Sequence, residues 1–106
     1  MPQHPDAGRV ELTDWATTGS AIRAIRETVF IHEQGVPVEL EWDGLDSSCA
    51  HVLAWNDRGE AIGTARMQRN GTIGRMAVLK YWRGRGVGRD LLQTLLDLAV
   101  RQGLPR

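Results

Sequence analysis

Residues Met76–Leu92 read MAVLKYWRGRGVGRDLL: a short apolar run, then Arg-Gly-Arg-Gly-Val-Gly, then apolar residues at helical spacing. Three glycines (Gly84, Gly86, Gly88) and three arginines (Arg83, Arg85, Arg89) fall within seven residues. A glycine-rich turn that opens a helix exposes backbone N–H groups at the positive end of the helix dipole, and glycine lets an anion approach without meeting a side chain. Flanking arginines add charge-assisted hydrogen bonds. The stretch therefore points to a phosphate site at a strand-to-helix junction, with an Arg/Gly-rich turn that holds no ligand as the bland alternative. It does not end in the Gly-Lys-Ser/Thr of a Walker loop. Nor does it follow the parallel βαβ pattern, with an acid about 20 residues later, of a dinucleotide fingerprint.

Upstream of the loop, Ala50–Trp55, Ala61–Gln68 and Thr72–Leu79 read as strands separated by the turns Asn56-Asp57-Arg58-Gly59 and Arg69-Asn70-Gly71. Turns this short force an antiparallel meander. Gly63 and Gly74 sit inside strands, where glycine marks a bulge or the close approach of another group. Downstream, Leu91, Leu92, Leu95, Leu98 and Ala99 flank a polar stripe of Asp90, Gln93, Thr94, Asp97 and Arg101. That pattern predicts an amphipathic helix of roughly four turns, ended by Gly103 and Pro105. Toward the N-terminus, residues 1–8 read as a loose leader and Val10–Thr13 as a half-buried strand. Thr17 or Thr18 caps a helix carrying Ile22, Ile25 and Val29 on one face, which ends between His32 and Gly35, ahead of Pro37. Val36–Ser48 has no clear period and reads as a long acidic surface loop with a short helical turn. The order β-α-loop-β-β-β-α predicts one α/β domain of the mixed α+β kind over residues 1–106.

A chain of 106 residues, 42% hydrophobic and 25% charged, has ordinary globular composition for a single domain. Its formal net charge of zero argues against a nucleic-acid binder that works through one large basic surface. Cys49 is the lone cysteine, so neither an intrachain disulfide nor a cysteine metal cluster is available, and a reducing cytoplasm is the natural compartment. The most apolar stretch, LLQTLLDLAV, is too short to span a bilayer, so no membrane partner is expected. Charge is unevenly spread. From Glu27 to Asp57 there are seven acids (Glu27, Glu33, Glu39, Glu41, Asp43, Asp46, Asp57) and no Lys or Arg, whereas Arg58–Arg89 holds eight bases and one acid. Either both runs are solvated faces, or the molecule has one subsite for an anionic ligand and another for a cationic one.

Arg83-Gly84-Arg85-Gly86-Val87-Gly88 resembles the Arg/Gln-x-x-Gly-x-Gly/Ala acyl-CoA signature of the GNAT-type N-acetyltransferases, through Arg83, Gly86 and Gly88, and it directly follows the strand Ile73–Val78. The segment Arg26–Pro37, RETVFIHEQGVP, followed by Glu41, Asp43 and His51, is similar to the start of one bacterial branch of that superfamily. The resemblance covers about residues 10–104. It implies the GNAT-like acyl-CoA N-acyltransferase fold, acetyl-CoA as cosubstrate and an amine acceptor. The backbone of Met76, Ala77 and Val78 would pair with the pantetheine arm. Arg83, Gly84, Arg85, Gly86, Val87 and Gly88, with Arg89 beside them, would cradle the diphosphate.

An amine with a pKa of about 10.4 is mostly protonated at pH 7, so transfer needs a base. Glu33 is the first candidate, since the resemblance places its region beside the acceptor groove; Glu41, Asp43 and His51 follow. The acidic stretch would attract a cationic acceptor. In the family a further strand, a helix carrying a tyrosine and a closing hairpin follow, and Leu104-Pro105-Arg106 falls where that strand would begin. The chain is thus expected to form homo-oligomers or to be completed by another segment. The rival readings are a non-catalytic acyl-CoA-binding or interaction module and a nucleotide-phosphate binder.

Overall fold

The computed structural model describes residues 7–103, so the expected leader is described only from Ala7 on, and Leu104–Arg106 lie outside the described residues. Four strands, β1 (Ala7–Thr13), β2 (Ala50–Asn56), β3 (Ala61–Met67) and β4 (Ile73–Val78), make one antiparallel sheet in the order β1-β2-β3-β4. The predicted meander is β2-β3-β4, and its strand ends differ from those expected by no more than a residue. The register follows from the turns: Asn56 N–H donates to the Glu60 carbonyl, and the Asn56 side chain accepts from the N–H groups of Arg58 and Glu60. The predicted N-terminal strand starts earlier than Val10 and pairs along β2, with Val10 opposite Ala54 and Leu12 opposite Val52.

Side chains alternate across the sheet and build a core on each face. On one face Val52, Ala54, Ile62 and Met67 pack with Val87, Leu91 and Leu95 of α3 (Val87–Arg101). On the other, Leu53 and Ala77 pack with Ile22, Ile25 and Val29. Gly63 shows why no larger residue serves at its place in β3. A Cβ there would stand 3.1 Å from both Leu91 Cδ1 and Val87 Cγ1 and 3.3 Å from the Ala77 carbonyl oxygen.

The first helix, α1 (Trp15–Arg26), is capped by Asp14 rather than by Thr17 or Thr18: Asp14 Oδ1 accepts from the Thr17 N–H at 2.7 Å. Hydrogen bonding from Thr17, from its side chain first and its N–H second, lowers the Asp14 pKa. Thr18 instead turns its hydroxyl onto the Asp14 carbonyl and Thr13. The helix continues as π-helical turns over Glu27–Glu33 and stops by Gln34, within the predicted interval. Such wide turns occur often at functional sites.

Val36–Ser48 has the expected short helical turn, α2 (Val38–Glu41), with a 3₁₀ turn (Asp46–Ser48) after it, but it is not a surface loop throughout, because Glu41 and Asp46 are buried. The cause is a set of arginines on neighbouring elements.

Candidate active site

The glycine loop joins β4 to α3. A 3₁₀ turn (Lys80–Trp82) follows β4 and anchors the loop through buried Trp82. Gly84 and Gly86 then take φ of +76° and +86°, left-handed values that favour glycine. Gly86 is the N-cap of α3 and supplies no side-chain hydrogen bond, so the first amides of α3 have no capping side chain. Gly88 already lies in the helix. A Cβ on it would meet Met76 Sδ at 3.7 Å and Val78 Cγ2 at 3.9 Å, which ties the first turn of α3 to β4.

The arginines of the loop are held by the protein's own acceptors. Arg83 donates from Nε to the Val78 carbonyl at 2.8 Å and from a terminal nitrogen to Glu33 Oε1 at 2.6 Å. Arg85 donates to the Tyr81 carbonyl at 2.9 Å and lies 4.4 Å from the centre of the Tyr81 ring. Arg89 is exposed on the first turn of α3. Glu33, at the end of the π-helical turns, is thus brought to the glycine loop by Arg83, from 50 residues away in sequence.

The other three proposed acid–base groups stand elsewhere, in a charge network that sequence reasoning did not find. Arg26, on the buried stripe of α1, donates to Glu41 Oε2 at 2.6 Å, to Asp46 Oδ1 at 2.5 Å and to the Glu41 carbonyl at 3.2 Å. Arg66 of β3 donates to Asp46 at 2.9 Å and binds both carboxylate oxygens of Asp43. Arg75 of β4 reaches the Leu40 carbonyl, the Glu41 carbonyl and Asp43. Arg66 holds the Asp43 carboxyl well below the usual carboxylate range. Asp43 in turn raises the pKa of the Arg66 guanidinium. Trp42 and Trp15 cover the network, with the Arg26 guanidinium 4.9 Å and 6.0 Å from their ring centres. His51 is fully buried beneath Trp15, and its Nε2 meets the Asp46 carbonyl at 2.8 Å while Nδ1 has no hydrogen-bond partner. Burial pushes the His51 pKa down, so the ring is neutral at pH 7.

Three acids and three arginines close on one another here, so Glu41, Asp43 and Asp46 do not form the open, cation-attracting surface expected from charge segregation. A signal for this was present. Arg26 falls four residues after Ile22 and three before Val29, on the apolar stripe of its helix, and a charge placed there requires a buried partner.

Beside β4 lies a cavity of about 440 Å³ lined by Phe30, Val36, Leu40, Glu41, Arg75 and Met76. β4 pairs with β3 on one side, and no other strand among the described residues pairs with it. Arg75 takes φ of +47°, the one non-glycine among the described residues with positive φ, and the β3–β4 register shifts opposite it, between Thr64 and Arg66. This bulge re-aims the strand where it borders the cavity. The site therefore combines an anion-receptive helix start, a strand edge and a cavity, all meeting at Met76.

Residues 11–106 match the acetyltransferase (GNAT) family, and the chain belongs to that family. It is 34% identical over 86 residues to a Bacillus subtilis (strain 168) protein named as an acetyltransferase, a match covering 76% of this chain and 58% of that one. The chain thus spans less than two thirds of that relative's length. Among solved structures it is similar to an acyl-CoA N-acyltransferase from Pseudomonas aeruginosa, with 28% identity and a TM-score of 0.78 over 89% of this chain and 71% of the other. An N-acetyltransferase from Lactobacillus plantarum gives 25% identity and a TM-score of 0.78 over 92% and 71%. The mixed α/β architecture expected from the sequence is thus the GNAT acyltransferase fold over the part covered.

Proposed function

We propose that the protein serves an N-acetyltransferase reaction in which an acetyl group passes from acetyl-CoA to a primary amine. The observation that carries this reading is the start of α3, which has no capping side chain, with Gly84 and Gly86 in left-handed conformations, set against the edge of β4 that no strand among the described residues pairs. The diphosphate of CoA fits there, since α3 offers its first amides and the left-handed glycines add no side chains to the approach. Acetyl-CoA supplies an activated thioester. The chain's own residues do the rest. Arg83, Arg85 and Arg89 neutralise phosphate charge. The backbone of Met76, Ala77 and Val78 aligns the pantetheine arm, and an N–H of that segment meets the carbonyl oxygen as it gains charge. Glu33 accepts the amine proton at its carboxylate, and it has this role over Asp43 and His51 because Asp43 is saturated by Arg66 and His51 is shut beneath Trp15. The lone, buried Cys49 suits a cytoplasmic setting, and among the described residues no helix is long and apolar enough to cross a membrane.

The Glu33–Arg83 pair is the observation that favours the rival, a non-catalytic acyl-CoA-binding module, because it neutralises the base. One experiment separates the readings. Thiol release from acetyl-CoA is followed with a panel of primary amines, alongside calorimetric titration with CoA. Amine-dependent thiol release that falls at least tenfold in Glu33→Gln, with CoA affinity kept, supports transfer. CoA binding without amine-dependent release supports the module, and ATP protecting the fold against heat where CoA does not would favour the nucleotide reading.

A further inference from the structure

The sheet has two edges, and the reading above uses only the one at β4. At the other edge β1 pairs with β2 on one side, and no strand among the described residues pairs with its outer side. An open strand edge is a template for another chain, and a row of like charges is a common way to blunt it. Here the charges are of both signs. Arg9 and Glu11 are both set against Trp55, which packs with the core under α1. The Arg9 guanidinium stands 5.3 Å from the centre of the Trp55 ring, and Glu11 Oε1 accepts from Trp55 Nε1 at 3.0 Å. Their contact with each other is loose, 3.4 Å between side chains that are 61% and 44% exposed. Trp55 thus holds an arginine and a glutamate side by side at an open edge, with charge left to offer.

The α3 side of the same edge carries a knob and a hole. Leu12, opposite Val52 of the core under α3, is 40% exposed. Beside it lies a cavity of about 310 Å³ that has Gly8, Val10, Ala54, Ile62 and Val87 in its lining. Gly8 is the bulge residue of β1, and a Cβ on it would stand 2.7 Å from the Asn56 carbonyl oxygen, so no side chain of this chain can enter the space from that position.

We propose that the β1 edge is an interface for a second copy of this chain, the two β1 strands pairing antiparallel about a two-fold axis at Val10. This register sets Arg9 opposite Glu11 of the second copy, Glu11 opposite its Arg9, and Val10 opposite its Val10. The neighbouring registers are worse. An axis at Arg9 or at Glu11 would oppose two arginines or two glutamates, and an axis between residues would set Val10 against a charged side chain. The favoured register also brings Leu12 of the second copy opposite the bulged Gly8, where the cavity receives it. Both features are self-complementary, so the contact is isologous and closes at two copies. The occupant is a second copy rather than an unrelated strand because β1 itself supplies both charges of each pair and both the knob and the hole.

The test is sedimentation equilibrium of the full chain at micromolar concentration, with Leu96→Lys present throughout so that the exposed line on α3 does not contribute. The parent is expected to dimerise. Arg9→Glu and Glu11→Arg each oppose like charges twice, and each should raise the dimer dissociation constant by about tenfold or more. An equimolar mixture of the two variants should associate as tightly as the parent, because the acidic strand of one then faces the basic strand of the other. A damaged fold could not produce that rescue. Leu12→Lys should also raise the dissociation constant by about tenfold or more, and it decides the matter if either charge variant fails to fold. A monomeric parent, unchanged association in any folded variant, or a mixture no tighter than its components would overturn the proposal.

Discussion

Gly86 and Gly88 both belong to the acyl-CoA signature, yet the structure makes their substitutions different experiments. Gly86 holds φ of +86°, where an L-residue costs about 1–2 kcal/mol, so Gly86→Ala mixes a folding penalty with any effect on the ligand. Gly88 has no such constraint. An added Cβ would sit 3.7 Å from Met76 Sδ and 3.9 Å from Val78 Cγ2, ordinary contact distances. Alanine is preferred over glycine inside a helix by about 0.8–1.0 kcal/mol, part of which is realised in a first turn. Gly88→Ala is therefore expected to leave stability unchanged or raised by less than about 1 kcal/mol and to retain CoA affinity within about threefold (about 0.65 kcal/mol). Gly88→Leu sends three more carbons toward Met76 and Val78. Overpacking of this kind costs about 1–3 kcal/mol. The strain falls on the strand edge proposed for pantetheine, so CoA affinity should drop tenfold or more, about 1.4 kcal/mol. Calorimetric titration with CoA, together with urea unfolding of each variant, reads both quantities. Parental CoA affinity in Gly88→Leu would refute the assignment of this loop and strand to CoA. Gly88→Ala destabilising the fold as much as Gly86→Ala would refute the distinction drawn from φ.

Arg26→Met leaves Glu41 and Asp46 buried without their shared partner and should cost about 3–5 kcal/mol in urea unfolding, against about 0–1 for breaking the half-exposed Arg83–Glu33 pair; similar losses at both sites would contradict the network's burial. Arg83→Ala should weaken CoA roughly tenfold or more and leave phosphate-free pantetheine unaffected, and equal losses for both ligands would point to a change in the fold instead. His51 has its folded-state pKa lowered by burial, so the unfolded chain takes up the proton first. Its stabilising contribution is full above about pH 6.5 and declines as pH falls from there toward the folded value, a slope that His51→Gln should remove in unfolding midpoints measured between pH 5.5 and 7.5. Leu92, Leu96 and Val100 make an exposed apolar line on α3, and the outer edge of β4 is unpaired among the described residues, so sedimentation at micromolar concentration should show self-association that Leu96→Lys reduces; an unchanged monomer would refute it.

What could be read from the sequence was local. The turns Asn56–Gly59 and Arg69–Gly71 declared the meander because their own residues make the bends. The apolar period of Leu91, Leu95 and Leu98 declared α3, and the glycine loop declared its turn and helix start because left-handed positions are written as glycines. The N-cap was misjudged by local ambiguity: Asp14, Thr17 and Thr18 can all cap, and only the position of β1 decides for Asp14. The site's walls were not legible in this way. Phe30, Val36 and Leu40 meet Met76 through packing of separate elements, and nothing in their spacing announces a cavity.

The charge segregation carries a different lesson. Seven acids without a base, followed by eight bases with one acid, suggested two ligand subsites of opposite sign. The structure uses part of each run to satisfy the other. Glu41, Asp43 and Asp46 come from the acidic run, Arg66 and Arg75 from the basic one, and Arg26, just before the acidic run, sits at their centre. Once these six are paired, Glu41, Asp43 and Asp46 no longer offer a cation an open set of carboxylates. The basic run still has the arginines around an uncapped helix start. The two runs are thus unequal in function: the basic one keeps the character of an anion site. Glu41, Asp43 and Asp46 of the acidic one have become scaffold, holding α2 and the bulge at Arg75 in place, whereas Glu33 of the same run stands apart at the glycine loop.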